Sequence, residues 1–136
     1  MKRIWVLLLM AALLLSTYST AWAAEKVVAS GSCGKDVTWT LNDSGLLTIS
    51  GSGAMTDYSV VMFAPAPWAF MKVKTVEIES GVTSIGDGSF SGCNTLTDVY
   101  FTGTEAQWNA LSIDSANLAL DSANILFSYR GDDSTR

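Results

Sequence analysis

The chain has 136 residues, a formal net charge of −5, 49% hydrophobic residues and no histidine. Eight Lys and Arg, scattered among thirteen Asp and Glu, leave no clustered basic surface of the kind a phosphate backbone needs, which speaks against nucleic acid as a partner. The lack of histidine removes Ser-His and Cys-His nucleophile activation and the commonest zinc ligand.

In chain order, Met1-Lys2-Arg3, the apolar run from Ile4 to Leu15 and Ala21-Trp22-Ala23 match the charged, apolar and A-x-A regions of a secretory signal peptide over residues 1–23. The apolar run is twelve residues long, short of the ~20 that span a bilayer as a helix. Cleavage after Ala23 removes Lys2 and Arg3 and takes the net charge from −5 to −7. The expected product is secreted and extracellular, at most loosely held at the cell surface, with no stable membrane insertion after cleavage. Its 113 residues make one domain with a modest core.

Val37, Trp39 and Leu41 alternate with Thr38 and Thr40, Asn42-Asp43-Ser44-Gly45 supplies a turn, and Leu47 and Ile49 alternate again, which predicts a β-hairpin. Pro65 and Pro67 make the following stretch an irregular connection. Within it Ser59 to Ala64, SVVMFA, is strongly apolar, and Val61 and Phe63 are expected to cover the open face of the hairpin. The alternative is an exposed patch that pairs two molecules, so a monomer is expected with weak self-association held in reserve.

Two later segments, VKTVEI from Val73 and LTDVYF from Leu96, are apolar at positions 1, 4 and 6, at an offset of 23 residues. That is the L-x-x-L-x-L strand signature at a leucine-rich-repeat period. Between the strands Val82, Ile85, Phe90 and Cys93 are separated by glycines at turns, so VTSIGDGSFSGCNTL is predicted to be a coil of a scaffold rather than a Ser/Gly/Cys active-site loop. Thr104-Glu105-Ala106-Gln107 has capping-box form and predicts a short helix to about Leu111 that buries Trp108 and Leu111. DSANLAL and DSANILF repeat at seven residues, too few copies for a coiled coil, and Ile125, Phe127 and Tyr129 alternate as a terminal strand. Residues 130–136 are a polar tail, in which Arg130-Gly131-Asp132 reads as a chance match to an adhesion tripeptide.

The string VKTVEIESGVTSIGDGSFSGCNTLTDVYFTGTEAQWNAL resembles the bacterial BspA-like leucine-rich repeat proteins, whose repeat has a strand, a V-x-x-I-G turn, a short A-F segment and a G-C ending. The stretch before it, GSCGKDVTWTLNDSGLLTISGSGAM followed by APW, is similar to the hairpin cap that precedes such repeats, and YFTGTEAQWNALSIDSANLALDSANILFSY to their closing unit. Glu79 replaces a usual proline, Gly88-Ser89 a usual aromatic-Ala pair, and only one complete repeat plus the strand of a second are present. The resemblance implies a β-rich, α+β fold: a short leucine-rich-repeat-like solenoid with an N-terminal hairpin cap over 24–72, repeats over 73–101 and a helix-plus-strand closing unit over 102–129. It also implies a non-catalytic protein, without cofactors, that binds other proteins or surfaces.

In such a repeat the residues between the inward positions are offered to solvent, which makes Thr75, Glu77, Asp98 and Tyr100 the candidate binding residues, with Tyr100 as the anchor. The partner is a protein or a cell surface. A structural or assembly unit of a longer repeat protein, with no ligand of its own, is the competing reading. Glu77 and Asp98 as neighbours on adjacent strands form either a catalytic pair or two solvated charges, and solvated charges fit a surface without a pocket signal. Asp36, Asp43 and Asp87 lack calcium-loop spacing and read as turn residues. Cys33 and Cys93 admit a disulfide, but the repeat position of Cys93 asks for a small buried side chain, so two unpaired buried thiols are expected.

Overall fold

Asn42 organises the first turn: its Oδ1 accepts from Ser44 N at 3.1 Å, Ser44 Oγ at 2.8 Å and Leu46 N at 2.9 Å. Gly45 sits at φ 87°, a conformation that side chains disfavour, and the chain reverses there. The structure, a computed structural model, describes residues 25–127; the signal segment expected over 1–23, Tyr129 and the Arg130-Gly131-Asp132 tripeptide lie outside the described residues.

The turn joins β2 (Val37–Asn42) to β3 (Leu46–Gly51) as the expected antiparallel hairpin. An additional strand, β1 (Val27–Ser32), pairs antiparallel along the far side of β2. From β3 onward the sheet is parallel, through β5 (Thr75–Ile78), β7 (Asp98–Phe101) and β9 (Asn124–Phe127), and its order is β1-β2-β3-β5-β7-β9. A second, three-stranded parallel sheet is made of β4 (Gly53–Ala54), β6 (Val82–Ile85) and β8 (Ser112–Ile113). The chain therefore winds from one sheet to the other and back, three times: a short solenoid.

The 23-residue offset appears as register: Val76 pairs with Val99 and Ile78 with Phe101. Two inward ladders cross the large sheet, Leu41-Leu47-Val76-Val99-Ile125 and Trp39-Ile49-Ile78-Phe101-Phe127. All are buried except Ile125 and Phe127, which are half-buried on the last strand. Each fully buried large side chain contributes about 1.5–3 kcal/mol. Val82, Ile85, Phe90 and Cys93 are buried, as their spacing predicts. At Gly86 a Cβ would collide with the Thr56 carbonyl oxygen, because the second coil lies directly on the backbone of the first.

The return segments stack through backbone bonds, Tyr58 N to Asp87 O at 2.6 Å and Gly88 N to Ser115 O at 3.1 Å. Asn117, buried at the start of α2 (Leu118–Ser122), ties the second and third together. Its Oδ1 accepts from Phe90 N at 2.9 Å, and its Nδ2 donates to Gly86 O at 3.0 Å and Asp114 O at 2.9 Å. Helix α1 (Glu105–Ala110) begins at the predicted capping box, with Gln107 N donating to Thr104 Oγ1 at 3.1 Å and Thr104 N to Gln107 Oε1 at 2.8 Å. Trp108 and Leu111 were expected to be buried and are half-buried, because this short helix lies at the rim. Trp108 packs edge-on against Phe101 at 5.4 Å and Phe127 at 6.3 Å.

The expectation that Val61 and Phe63 cover the hairpin is corrected by the structure: both are exposed. Trp68 takes that place, its ring centroid 5.5 Å from Trp39 and its Nε1 donating to Ser89 O at 2.9 Å. An indole fills the space under the hairpin and satisfies its own polar atom on the next coil, which a phenyl ring has no means to do. Cys33 and Cys93 are both free and buried, and desolvation pushes each thiol up to about 11.

Candidate binding surface

The outward side of the large sheet is set by the same register that builds the core. One row runs Leu46, Thr75, Asp98, Asn124 and the next runs Thr48, Glu77, Tyr100, Leu126. All four sequence-predicted residues thus come together on two adjacent central strands. Thr75, Asp98 and Tyr100 are half-exposed.

Glu77 departs from expectation. It is only 7% exposed, although its position in the strand pattern points it outward. The cause is lateral: Thr48 and Tyr100 stand opposite it on both neighbouring strands, ~4.8 Å away, and close over a side chain in the middle of the sheet. Alternation fixes the side of a sheet, while burial on that side depends on the flanking side chains. At 7% exposure Glu77 offers little surface to a partner.

Glu77 and Asp98 do not face each other, since Glu77 pairs with Tyr100 and Thr75 with Asp98. Asp98 is held by two neighbours: Oδ2 accepts from Thr97 Oγ1 at 2.9 Å and Oδ1 from Asn124 Nδ2 at 3.1 Å. This carboxylate is fixed in place and exposed along one side, an arrangement suited to orienting a partner's donor rather than to moving protons. Among the described residues no cluster of three Cys, Asp or Glu side chains could hold a metal ion, and no helix is long and apolar enough to cross a membrane.

A second surface is the one the sequence offers as the alternative to core, an exposed apolar patch. Val60, Val61, Met62 and Phe63, and beyond Trp68 also Phe70 and Met71, are exposed on the return side of the first coil. The signal for it was the apolar run SVVMFA itself, read as core because nothing in an irregular segment indicates which side chains point inward.

Neither a family model nor a curated protein matches the sequence. Among solved structures the chain is similar to the crystal structure, at 2.50 Å, of a leucine-rich repeat protein from Eubacterium ventriosum ATCC 27560, with 29% identity and a TM-score of 0.56. The match covers 75% of this chain and 27% of that one, so the present chain spans a small part of the longer repeat protein. The leucine-rich repeat fold is generally non-catalytic. With the 23-residue register, the stacked coils and this likeness in agreement, the chain is a short leucine-rich-repeat-like solenoid, similar to bacterial leucine-rich repeat proteins of the BspA-like type.

Proposed function

We propose that the chain is a non-catalytic module, secreted or held at the cell surface, that binds a protein or a surface through the outward side of its six-stranded sheet. The observation that supports this reading is the placement of Tyr100. It stands half-exposed between the closed-over Glu77 and the exposed Leu126, beside an Asp98 whose carboxylate is already oriented. A tyrosine held by its neighbours buries a large area at small entropic cost, and its hydroxyl can meet a polar partner.

The test begins with the purified chain as bait against bacterial-surface and host extracts, followed by affinity measurements on the captured partner. Tyr100→Ala should weaken binding by about 2 kcal/mol, the scale of an interface hot spot, at unchanged folding stability. An affinity equal to that of the parent removes the proposal. Glu77→Ala is a poor probe of contact because the side chain is buried.

The competing reading, an assembly unit of a longer repeat protein, draws on the short span of this chain relative to the solved protein it resembles. On that reading no extract yields a specific partner for the outward sheet.

A further inference from the structure

The first coil carries an insertion that the second lacks. Tyr58 is level with Asp87, to whose carbonyl its amide donates, and Trp68 is level with Phe90 at 6.1 Å between ring centroids. In the second coil Phe90 follows Asp87 by three positions, whereas in the first Trp68 follows Tyr58 by ten. The extra residues form a closed knuckle. Ser59 and Ala64 exchange backbone bonds at 2.7 and 2.8 Å, Phe63 N donates to Val60 O at 3.2 Å, and Met62 N donates to Ser59 Oγ at 3.2 Å. Its tip is Val60-Val61-Met62-Phe63. Phe63 is 95% exposed and has φ 58°, a left-handed conformation that costs a bulky residue about 1 kcal/mol or more. A braced turn thus holds apolar side chains in water.

A groove of about 420 Å³ lies on the return side of the next two coils, with Phe90, Cys93 and Leu96 on one side and Ala116, Leu118 and Ala119 on the other. Leu118 is 77% exposed. The groove adjoins the first coil: a Cβ on Gly92, one of its lining residues, would lie 3.8 Å from Ala69 O, next to the 84%-exposed Phe70. Phe70 therefore stands beside the groove, and the knuckle belongs to the same return segment as Phe70.

We propose that this face packs against a second copy of the same chain, as a two-fold pair in which the Val61–Phe63 knuckle of each copy enters the Leu96–Leu118 groove of the other. Each copy offers both the protruding and the receiving part, so the contact is reciprocal and closes at two chains. Charge selects the same face. From Tyr58 to Met71 no residue is charged, whereas the chain as a whole carries −5, so two copies repel over most of their surface and not here. Area agrees as well: with aromatic rings covering 150–250 Å² each, the six exposed apolar side chains present on the order of 700 Å² per copy, close to the ~800 Å² per partner of a stable interface. A lipid bilayer fits less well, since Lys72 and Lys74 are the nearby cations and the acidic chain is repelled by anionic headgroups. The pairing uses different residues from the proposed outward-sheet binding and stands or falls separately from it.

Sedimentation velocity of the purified chain over the micromolar range should show a monomer–dimer equilibrium. Phe63→Asp and Leu118→Asp, both at exposed positions, should each raise the dissociation constant ~100-fold or more by placing a charge in the contact. Leu126→Asp on the large sheet should leave it unchanged. Because Cys93 is a free thiol lining the groove, the cross-linking is done in a Cys33→Ser, Cys93→Ser background: under mild oxidation a Phe63→Cys chain mixed with a Leu118→Cys chain should yield a disulfide-linked pair that neither chain yields alone. A strict monomer overturns the proposal, as does dimerisation indifferent to Leu118→Asp or cross-linking of Phe63→Cys to itself. A monomer that floats with phosphatidylcholine–phosphatidylserine vesicles, and loses this with Phe63→Asp, overturns it in favour of lipid.

Discussion

On the outward side of the large sheet Asp98 gives one carboxylate oxygen to Thr97 and the other to Asn124, while Glu77 is closed over by its neighbours. On the return face of the first coil the opposite holds: Phe63 and Phe70 project into solvent although Trp68, between them in sequence, is completely buried. The sheet side has the composition expected of a surface in water and satisfies most of its polar groups from within the chain. The return side does not, and burial in a fold this small is plainly a choice among aromatic residues rather than a consequence of hydrophobicity. Exposed apolar residues braced by hydrogen bonds mark the surface that the single chain leaves unmet.

Truncations at Trp68 and Phe63 test this contrast most strongly. Trp68→Ala removes the ring packed on Trp39, Tyr58 and Phe90 and should cost about 3–5 kcal/mol in denaturant unfolding. Phe63→Ala, five residues earlier, should change the stability of the dilute monomer by less than ~0.5 kcal/mol. Equal losses at the two sites would mean that Phe63 packs on the core after all.

A second pair separates the return coils from the sheet. Asn117→Ala leaves the buried Phe90 N–H without its acceptor and takes one of two side-chain donors from Gly86 O, which keeps Ser89 Oγ, and should cost about 1–3 kcal/mol. Asn124→Ala, at the same place in the second DSAN string, loses a single exposed bond to Asp98 and should stay within ~0.5 kcal/mol. The same assay checks both.

These two asparagines also show how far the sequence is legible. Asp114-Ser115-Ala116-Asn117 and Asp121-Ser122-Ala123-Asn124 are identical strings, yet Asn117 precedes a helix and Asn124 begins a strand. The residues that follow, Leu-Ala-Leu against Ile-Leu-Phe, lean in those directions by propensity. Which asparagine is buried is decided elsewhere, by the Phe90 amide and Gly86 carbonyl presented on the preceding coil. Periodic features were readable for the same reason that they fold: the 1, 4, 6 strand pattern, the offset of 23, the Asn42 turn and the Thr104 capping box are all local or repeated. The covering of the hairpin was not, because Phe63 and Trp68 lie in one irregular, proline-containing stretch and the choice rests on Ser89 O, a long-range partner. Glu77 was placed on the correct side of the sheet, but its burial depends on Thr48 and Tyr100 in other strands.

A smaller effect comes from the thiols. Burial raises Cys33 and Cys93 from 9.0 to about 11, so the folded state keeps its protons where the unfolded state loses them. Their contribution to stability is complete below pH 9.0 and is lost as pH rises toward about 11. Unfolding midpoints measured across that range should fall with pH, and the Cys33→Ala, Cys93→Ala double variant should show a shallower decline.

The contrast between a satisfied sheet and an unmet return face is reached most directly by methionine oxidation, because Met62 is 75% exposed on the knuckle and Met55 is buried in the core. With dilute hydrogen peroxide and the protein well below its dimer dissociation constant, Met62 should oxidise rapidly and Met55 hardly at all. At concentrations where sedimentation shows the pair, Met62 should become protected while Met55 is unchanged. A Met62 as slow as Met55 in the dilute protein, or one that oxidises equally fast at both concentrations, would contradict the account.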